Sequence, residues 1–184
     1  MKISEYQALA QRTSTADHDK VLNGCLGLMG EAGEVVDVIK KWMFQSGKDA
    51  ALPREKLIDE LGDVNWYCAE LCAGLDVDIA EVYPENSSRM FFHRLTLDGM
   101  AAHLLARAAR PWHALYGEEN SHANRGKRRQ IALVQVAEVM EMVDEMLHQL
   151  YATLGEAMER NIEKLKKRYP DGFDPEKSLH RAEE

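Results

Sequence analysis

The stretch Leu26-Gly27-Leu28-Met29-Gly30-Glu31-Ala32-Gly33-Glu34-Val35-Val36-Asp37-Val38-Ile39 decides the reading of this chain, together with Leu57-Ile58-Asp59-Glu60-Leu61-Gly62-Asp63-Val64-Asn65-Trp66 after one break. In both, apolar residues recur with the helical period. Each stretch carries two acids three positions apart, Glu31 with Glu34 and Glu60 with Asp63. That spacing puts both carboxylates of a pair on one helix face. Carboxylates facing an apolar core are costly unless cations neutralise them. Oxygen ligands of this kind suit Mg²⁺ or Mn²⁺, and Mg²⁺ is commonly held by a few carboxylates together with substrate phosphates. The four acids Glu31, Glu34, Glu60 and Asp63 therefore form a candidate divalent-metal site for a phosphorylated ligand.

The rest of the composition narrows the class. With 184 residues and 45% hydrophobic content, the chain has material for one domain, or for two small units sharing a core. A net charge of −8 argues against a nucleic-acid partner, which a basic face would mark. No apolar run is long enough to cross a bilayer, so no membrane role is expected. Residues 1–13 are polar and amphipathic and do not read as a signal peptide. Cys25, Cys68 and Cys72 show no paired spacing, which points to a reducing, cytoplasmic setting, and Cys68 and Cys72, four apart on a helical pattern, read as core.

Period-2 alternation is nearly absent, so the fold class is all-α. Helices are expected over about 3–13, 20–45, 53–74, 78–94, 96–116, 127–150 and 152–169, with breaks at glycine- and proline-containing turns. Pro53 suits a helix start, whereas Pro84 and Pro111 fall inside helical patterns and are expected to kink or end them. Residues 171–184 read as a polar tail.

A degenerate internal repeat is visible. Laying residues 54–86 on 129–161 pairs Arg54 with Arg129, Val64 with Val139, Glu70 with Glu145, Leu75 with Leu150, Glu81 with Glu156 and Asn86 with Asn161. Upstream, a slightly shorter displacement pairs Gly30 with Gly99, Trp42 with Trp112 and Gly47 with Gly117. The acids are where the copies part. Glu31 and Glu34 meet Met100 and His103, and Glu60 and Asp63 meet Gln135 and Glu138. This divides the chain into a half carrying the acids (1–94), a degenerate copy completing a four-helix-type core (95–170) and the tail (171–184).

At these residues the chain resembles the MazG-like nucleotide pyrophosphohydrolases of the all-α NTP pyrophosphatase superfamily. The resemblance rests on Glu5-Tyr6-Gln7 through Arg12-Thr13, on E-x-x-E at Glu31 and Glu34, on E-x-x-D at Glu60 and Asp63, and on the ending Asn161-Ile162-Glu163-Lys164-Leu165 with Arg168-Tyr169-Pro170-Asp171-Gly172-Phe173. It implies Mg²⁺-dependent cleavage of a nucleoside triphosphate to monophosphate and pyrophosphate. It also implies a homodimer of helical units, whose second half the inserted repeat would supply within one chain as a pseudo-dimer. Either Glu31 or Glu34 then orients or deprotonates the attacking water. Lys40, Lys41, Lys164 and Arg168 are candidates to offset phosphate charge, Asn161 is a candidate donor, and Gln7 and Arg12 are expected near the nucleoside. Two segments compete for the live site, Asn86 with Arg89 and Asn161 with Lys164.

Each reading has a plainer rival. Lys40 and Lys41 end a helix, where cations are stabilising in any case. Trp42 and Trp66 read as core residues, and Arg125, Lys127, Arg128 and Arg129 as a solvated patch. Glu145 and His148 have the spacing of a di-iron ligand pair, but a di-iron bundle needs two such pairs. For the whole chain, the rival is a non-catalytic regulator that keeps the fold and binds nucleotide or a protein.

Overall fold

A computed structural model of the chain describes residues 1–15, 18–84, 95–118 and 124–174. All regular structure among them is helical: α1 Ile3–Ala10, α2 Lys20–Phe44, α3 Arg54–Gly74, α4 Ile79–Val82, α5 Leu97–Ala108, α6 Arg110–Tyr116, α7 Arg125–Gln149 and α8 Leu154–Arg168. A 3₁₀ turn at Gln11–Thr13 extends α1.

Local chemistry sets the boundaries. Asp19 caps α2 by accepting from the Val21 and Leu22 amides, both at 3.0 Å. Thr153 and Glu156 form a reciprocal capping box that starts α8. Of the helix expected over 78–94, the described residues show the single turn α4, and residues 85–94 lie outside those described. Pro84 gives the reason. A residue before proline is pushed out of the helical region, and Tyr83 sits at φ −134, ψ 84. The expected helix over 96–116 is broken at Ala109 into α5 and α6, with Pro111 in the first turn of α6, where its missing N–H costs no hydrogen bond.

The four long segments close a ring. α2 packs on α3 and α5, and α7 packs on α5, α6 and α3. Leu28, Val35, Leu61, Val64, Leu104 and Val139 are among its fully enclosed side chains. Cys25, Cys68 and Cys72 are buried free thiols, and Cys68 and Cys72 take the core places their spacing predicts. α8 lies against α3, and α1 bridges the two. Gly62 sets that approach: a Cβ there would stand 3.1 Å from the Ala157 carbonyl oxygen and 3.2 Å from Asn161 Cβ. Any larger residue there would press on α8, so the glycine lets α8 lie close to the acid-bearing face of α3. At Gly33, by contrast, no atom lies within 4 Å of the position a Cβ would take.

Candidate active site

The two acidic motifs meet where α2 crosses α3. Glu31, Glu60 and Asp63 place one carboxylate oxygen each within 4.8 Å of one another, and all three are half-buried. Glu34 lies one turn along α2, exposed and outside this trio. Burial first, then the Asp63 charge, raises the Glu60 carboxyl above its ordinary value; Glu34 adds a weaker push in the same direction. Crowded carboxylates with one raised in this way form a donor set that a divalent cation fits.

α8 closes the site from the other side. Lys164 Nζ donates to Asp63 Oδ1 at 2.6 Å, and Asn161 Nδ2 donates to the same oxygen at 2.7 Å. Asn161 is buried, and its Oδ1 accepts from the Tyr6 hydroxyl at 2.9 Å. Burial, then the Asp63 charge, pushes the Tyr6 phenol well above its usual range, so it stays a donor. Asn161 is thereby oriented: its oxygen faces Tyr6 and its amide faces Asp63. Of the two competing segments, Asn161 with Lys164 reaches the acids, while Asn86 and Arg89 lie outside the described residues.

A cavity of about 370 Å³ opens beside the trio. Glu31 and Asp63 form one wall, and Trp66, Tyr67, Tyr169 and Phe173 supply aromatic surface; Arg168 lines it too. His18 and Asn23, which also line it, reach Glu70, which is fully buried on α3. Glu70 accepts from Gln11 at 2.8 Å and Ser14 at 2.9 Å, and its Oε1 lies 2.7 Å from His18 Nε2. Thr15 contacts the other ring nitrogen of His18. This buried carboxylate thus folds the segment between α1 and α2 against the cavity.

Several expected residues stand elsewhere. Gln7 spends both ends of its amide on the α3–α4 connection, donating to the Val77 carbonyl at 3.0 Å and accepting from the Ile79 amide at 2.7 Å. Arg12 is exposed and not in the cavity wall. Lys40 and Lys41 both pair with Asp37, whose carboxyl they lower to about 2, so they are held on the exposed surface near the end of α2. Trp66, read as core, is a cavity wall whose ring nitrogen donates to Thr13 Oγ1 at 3.1 Å. Trp42 donates to the Ala50 carbonyl at 3.0 Å, outside the core. Arg128 and Arg129, read as solvated, hold backbone carbonyls. Glu145 is buried while His148 is exposed, and among the described residues the metal-capable cluster is the one on α2 and α3. The tail reading missed Phe173, whose ring lies 5.4 Å from that of Tyr169. Gly172, at φ +104, turns the chain back to allow it.

Part of the sequence that builds this site has relatives. Residues 20–91 match the model of the MazG nucleotide pyrophosphohydrolase domain, and the resemblance read from the motifs is borne out over that segment. The Gene 37 protein of Mycobacterium phage L5 is 40% identical over 68 residues, which are 35% of this chain and 58% of that protein. The chain thus spans a little over half the length of the curated relative it matches. No solved structure matches it significantly. Among the described residues no helix is long and apolar enough to cross a membrane.

Proposed function

We propose that this protein hydrolyses a nucleoside triphosphate to the monophosphate and pyrophosphate, with Mg²⁺ or Mn²⁺ held by Glu31, Glu60 and Asp63. The observation that carries the reading is the meeting of the three carboxylates at the edge of an aromatic-walled cavity, within a segment that matches the MazG domain. When bound, the cation supplies charge neutralisation and a water of lowered pKa.

The chain's own residues divide the remaining work. Asn161 and Lys164 hold Asp63 in place from α8. Arg168, on the cavity wall, offsets phosphate charge there. Trp66 and Tyr67, edge to face at 4.9 Å, offer the nucleoside apolar surface. Of Glu31 and Glu34, the exposed Glu34 lies outside the trio and is favoured to orient the attacking water. Lys40 and Lys41 act at most at the outer edge, because Asp37 already holds them.

A pyrophosphate-release screen across natural and modified ribo- and deoxyribonucleoside triphosphates tests this reading. Pyrophosphate without primary orthophosphate is expected, lost in the Asp63→Ala variant. Orthophosphate as first product would place the protein in another phosphohydrolase class. Retained Mn²⁺ and nucleotide binding without any turnover would make it a regulator.

A further inference from the structure

Two arginines grip the ends of each other's helices. Arg54, at the start of α3, donates from Nε to the Leu150 carbonyl at 2.6 Å and from Nη2 to the Tyr151 carbonyl at 3.0 Å, at the end of α7. Arg129, near the start of α7, donates from Nε to the Leu75 carbonyl at 2.9 Å and from Nη2 to the Asp76 carbonyl at 3.3 Å, at the end of α3. The displacement that pairs Arg54 with Arg129 also pairs Leu75 with Leu150 and Asp76 with Tyr151. The same nitrogen of each arginine meets the same carbonyl of the other copy.

The gripped ends are alike in detail. Asp76 and Tyr151 both take φ +53, a left-handed conformation unusual for either residue. The Val77 amide donates to the Cys72 carbonyl at 3.0 Å, and its counterpart Ala152 donates to Leu147 at 2.9 Å. Asp78 then caps α4 and its counterpart Thr153 caps α8. Contacts in which residue i of one copy meets residue j of the other, and j meets i, are the signature of a twofold interface. A run of helical residues matched only by its apolar period would share no such polar contacts.

The chemistry is unequal across this pseudo-twofold. α8 belongs to the second copy but packs on α3 of the first, bringing Asn161 and Lys164 to Asp63. In the second copy Met100 is buried where Glu31 has its counterpart, His103 and Gln135 replace Glu34 and Glu60, and the one acid left, Glu138, pairs with Arg110. Identical subunits cannot specialise in this way; two copies in one chain can.

We infer that this chain is a covalently fused pseudo-dimer with one metal centre, in which the first half supplies the carboxylates and the second supplies Asn161 and Lys164 to hold Asp63, so that one chain carries the whole of that centre. The inference rests on the metal reading of the Glu31, Glu60 and Asp63 cluster, but not on which substrate is cleaved.

Sedimentation equilibrium of the full chain with Mn²⁺ titration tests it. The expected result is a 20.9 kDa monomer that keeps its Mn²⁺ binding on dilution. Glu138→Gln and Arg110→Ala, which touch no part of the site, should bind Mn²⁺ within about twofold of the parent, while Glu60→Gln should lose about tenfold or more. Mixing Glu31→Gln chains with Asn161→Ala/Lys164→Ala chains should restore no turnover. Mn²⁺ binding that vanishes as a dimer dissociates, its loss in both Glu138→Gln and Arg110→Ala with helical content preserved, or turnover regained on mixing would each overturn the inference. A Mn²⁺-binding monomer inert toward every triphosphate would sink the proposed hydrolysis and leave the pseudo-dimer standing.

Discussion

Lys164 holds Asp63 from across the bundle, its ammonium 2.6 Å from Oδ1 of a carboxylate that also belongs to the acidic trio. The side chain therefore occupies charge that a metal ion would claim. Lys164→Gln should tighten Mn²⁺ binding several-fold, measured by calorimetry, because a competing cation is removed. Turnover should fall in the same variant, since a positive group is lost beside the phosphates. Weaker Mn²⁺ binding would show instead that Lys164 serves mainly to orient Asp63.

Tyr6 and Asn161 form the support behind that carboxylate. Tyr6→Phe leaves the buried Asn161 oxygen without its donor at 2.9 Å, and an unsatisfied buried polar group costs about 1–3 kcal/mol. Denaturant unfolding should register a loss of that order. Asn161→Ala removes the bond to Asp63 and should lower metal affinity or activity about 10–100-fold, the usual effect of losing an outer-shell partner. Unchanged metal binding in Asn161→Ala would remove it from the site.

The two motif glycines should respond oppositely to alanine. Gly62→Ala presses a methyl against the Ala157 carbonyl and Asn161 Cβ and should destabilise by about 1–3 kcal/mol, with a loss of metal binding as Asn161 is displaced. Gly33→Ala adds a methyl in open space and should stabilise α2 by about 0.5–1 kcal/mol, through helix propensity alone. Thermal unfolding in metal-free buffer reads both. A Gly33→Ala chain that gains stability yet loses turnover would show that substrate passes over that face of α2.

Glu60 makes the metal-free chain sensitive to pH. Its carboxyl is raised in the fold, so the native state binds this proton more tightly than the unfolded chain does. Stability from this group is therefore greatest in acid and falls as pH rises from the ordinary glutamate range through the raised value. Glu60→Gln should flatten that fall and unfold at a higher temperature than the parent near neutral pH in chelator. Added Mn²⁺ should stabilise the parent and not the variant. Equal melting temperatures at every pH would remove Glu60 from the crowded trio.

Much of the fold was legible because it depends on short-range periodicity. The apolar rows around Leu28 and Val35, and around Leu61 and Val64, fix two amphipathic helices, and the acids on them follow the same spacing. The helical pattern over 78–94 ends after Val82 on a local rule already in view, since Pro84, expected to kink or end it, constrains Tyr83. Trp66 was harder: a tryptophan at helical spacing looks the same whether it faces a core or a cavity. Phe173 looked like part of a polar tail because nothing local says that Gly172 turns it back toward Tyr169.

By itself, the sequence determined the helical class, the position of the E-x-x-E and E-x-x-D pairs and the pairing of Arg54 with Arg129 along the chain, because these are matters of residue type and short-range spacing. Only the tertiary structure decided which of the four acids converge, that Asn161 and Lys164 rather than Lys40 and Lys41 stand over them, and that Gln7 ties α1 to the α3–α4 connection instead of facing the cavity. Side-chain hydrogen bonds and ion pairs act over about 3 Å. Which residues come that close, when they lie a hundred positions apart, is settled by the crossing of α8 over α3, and Gly62 is what lets it cross.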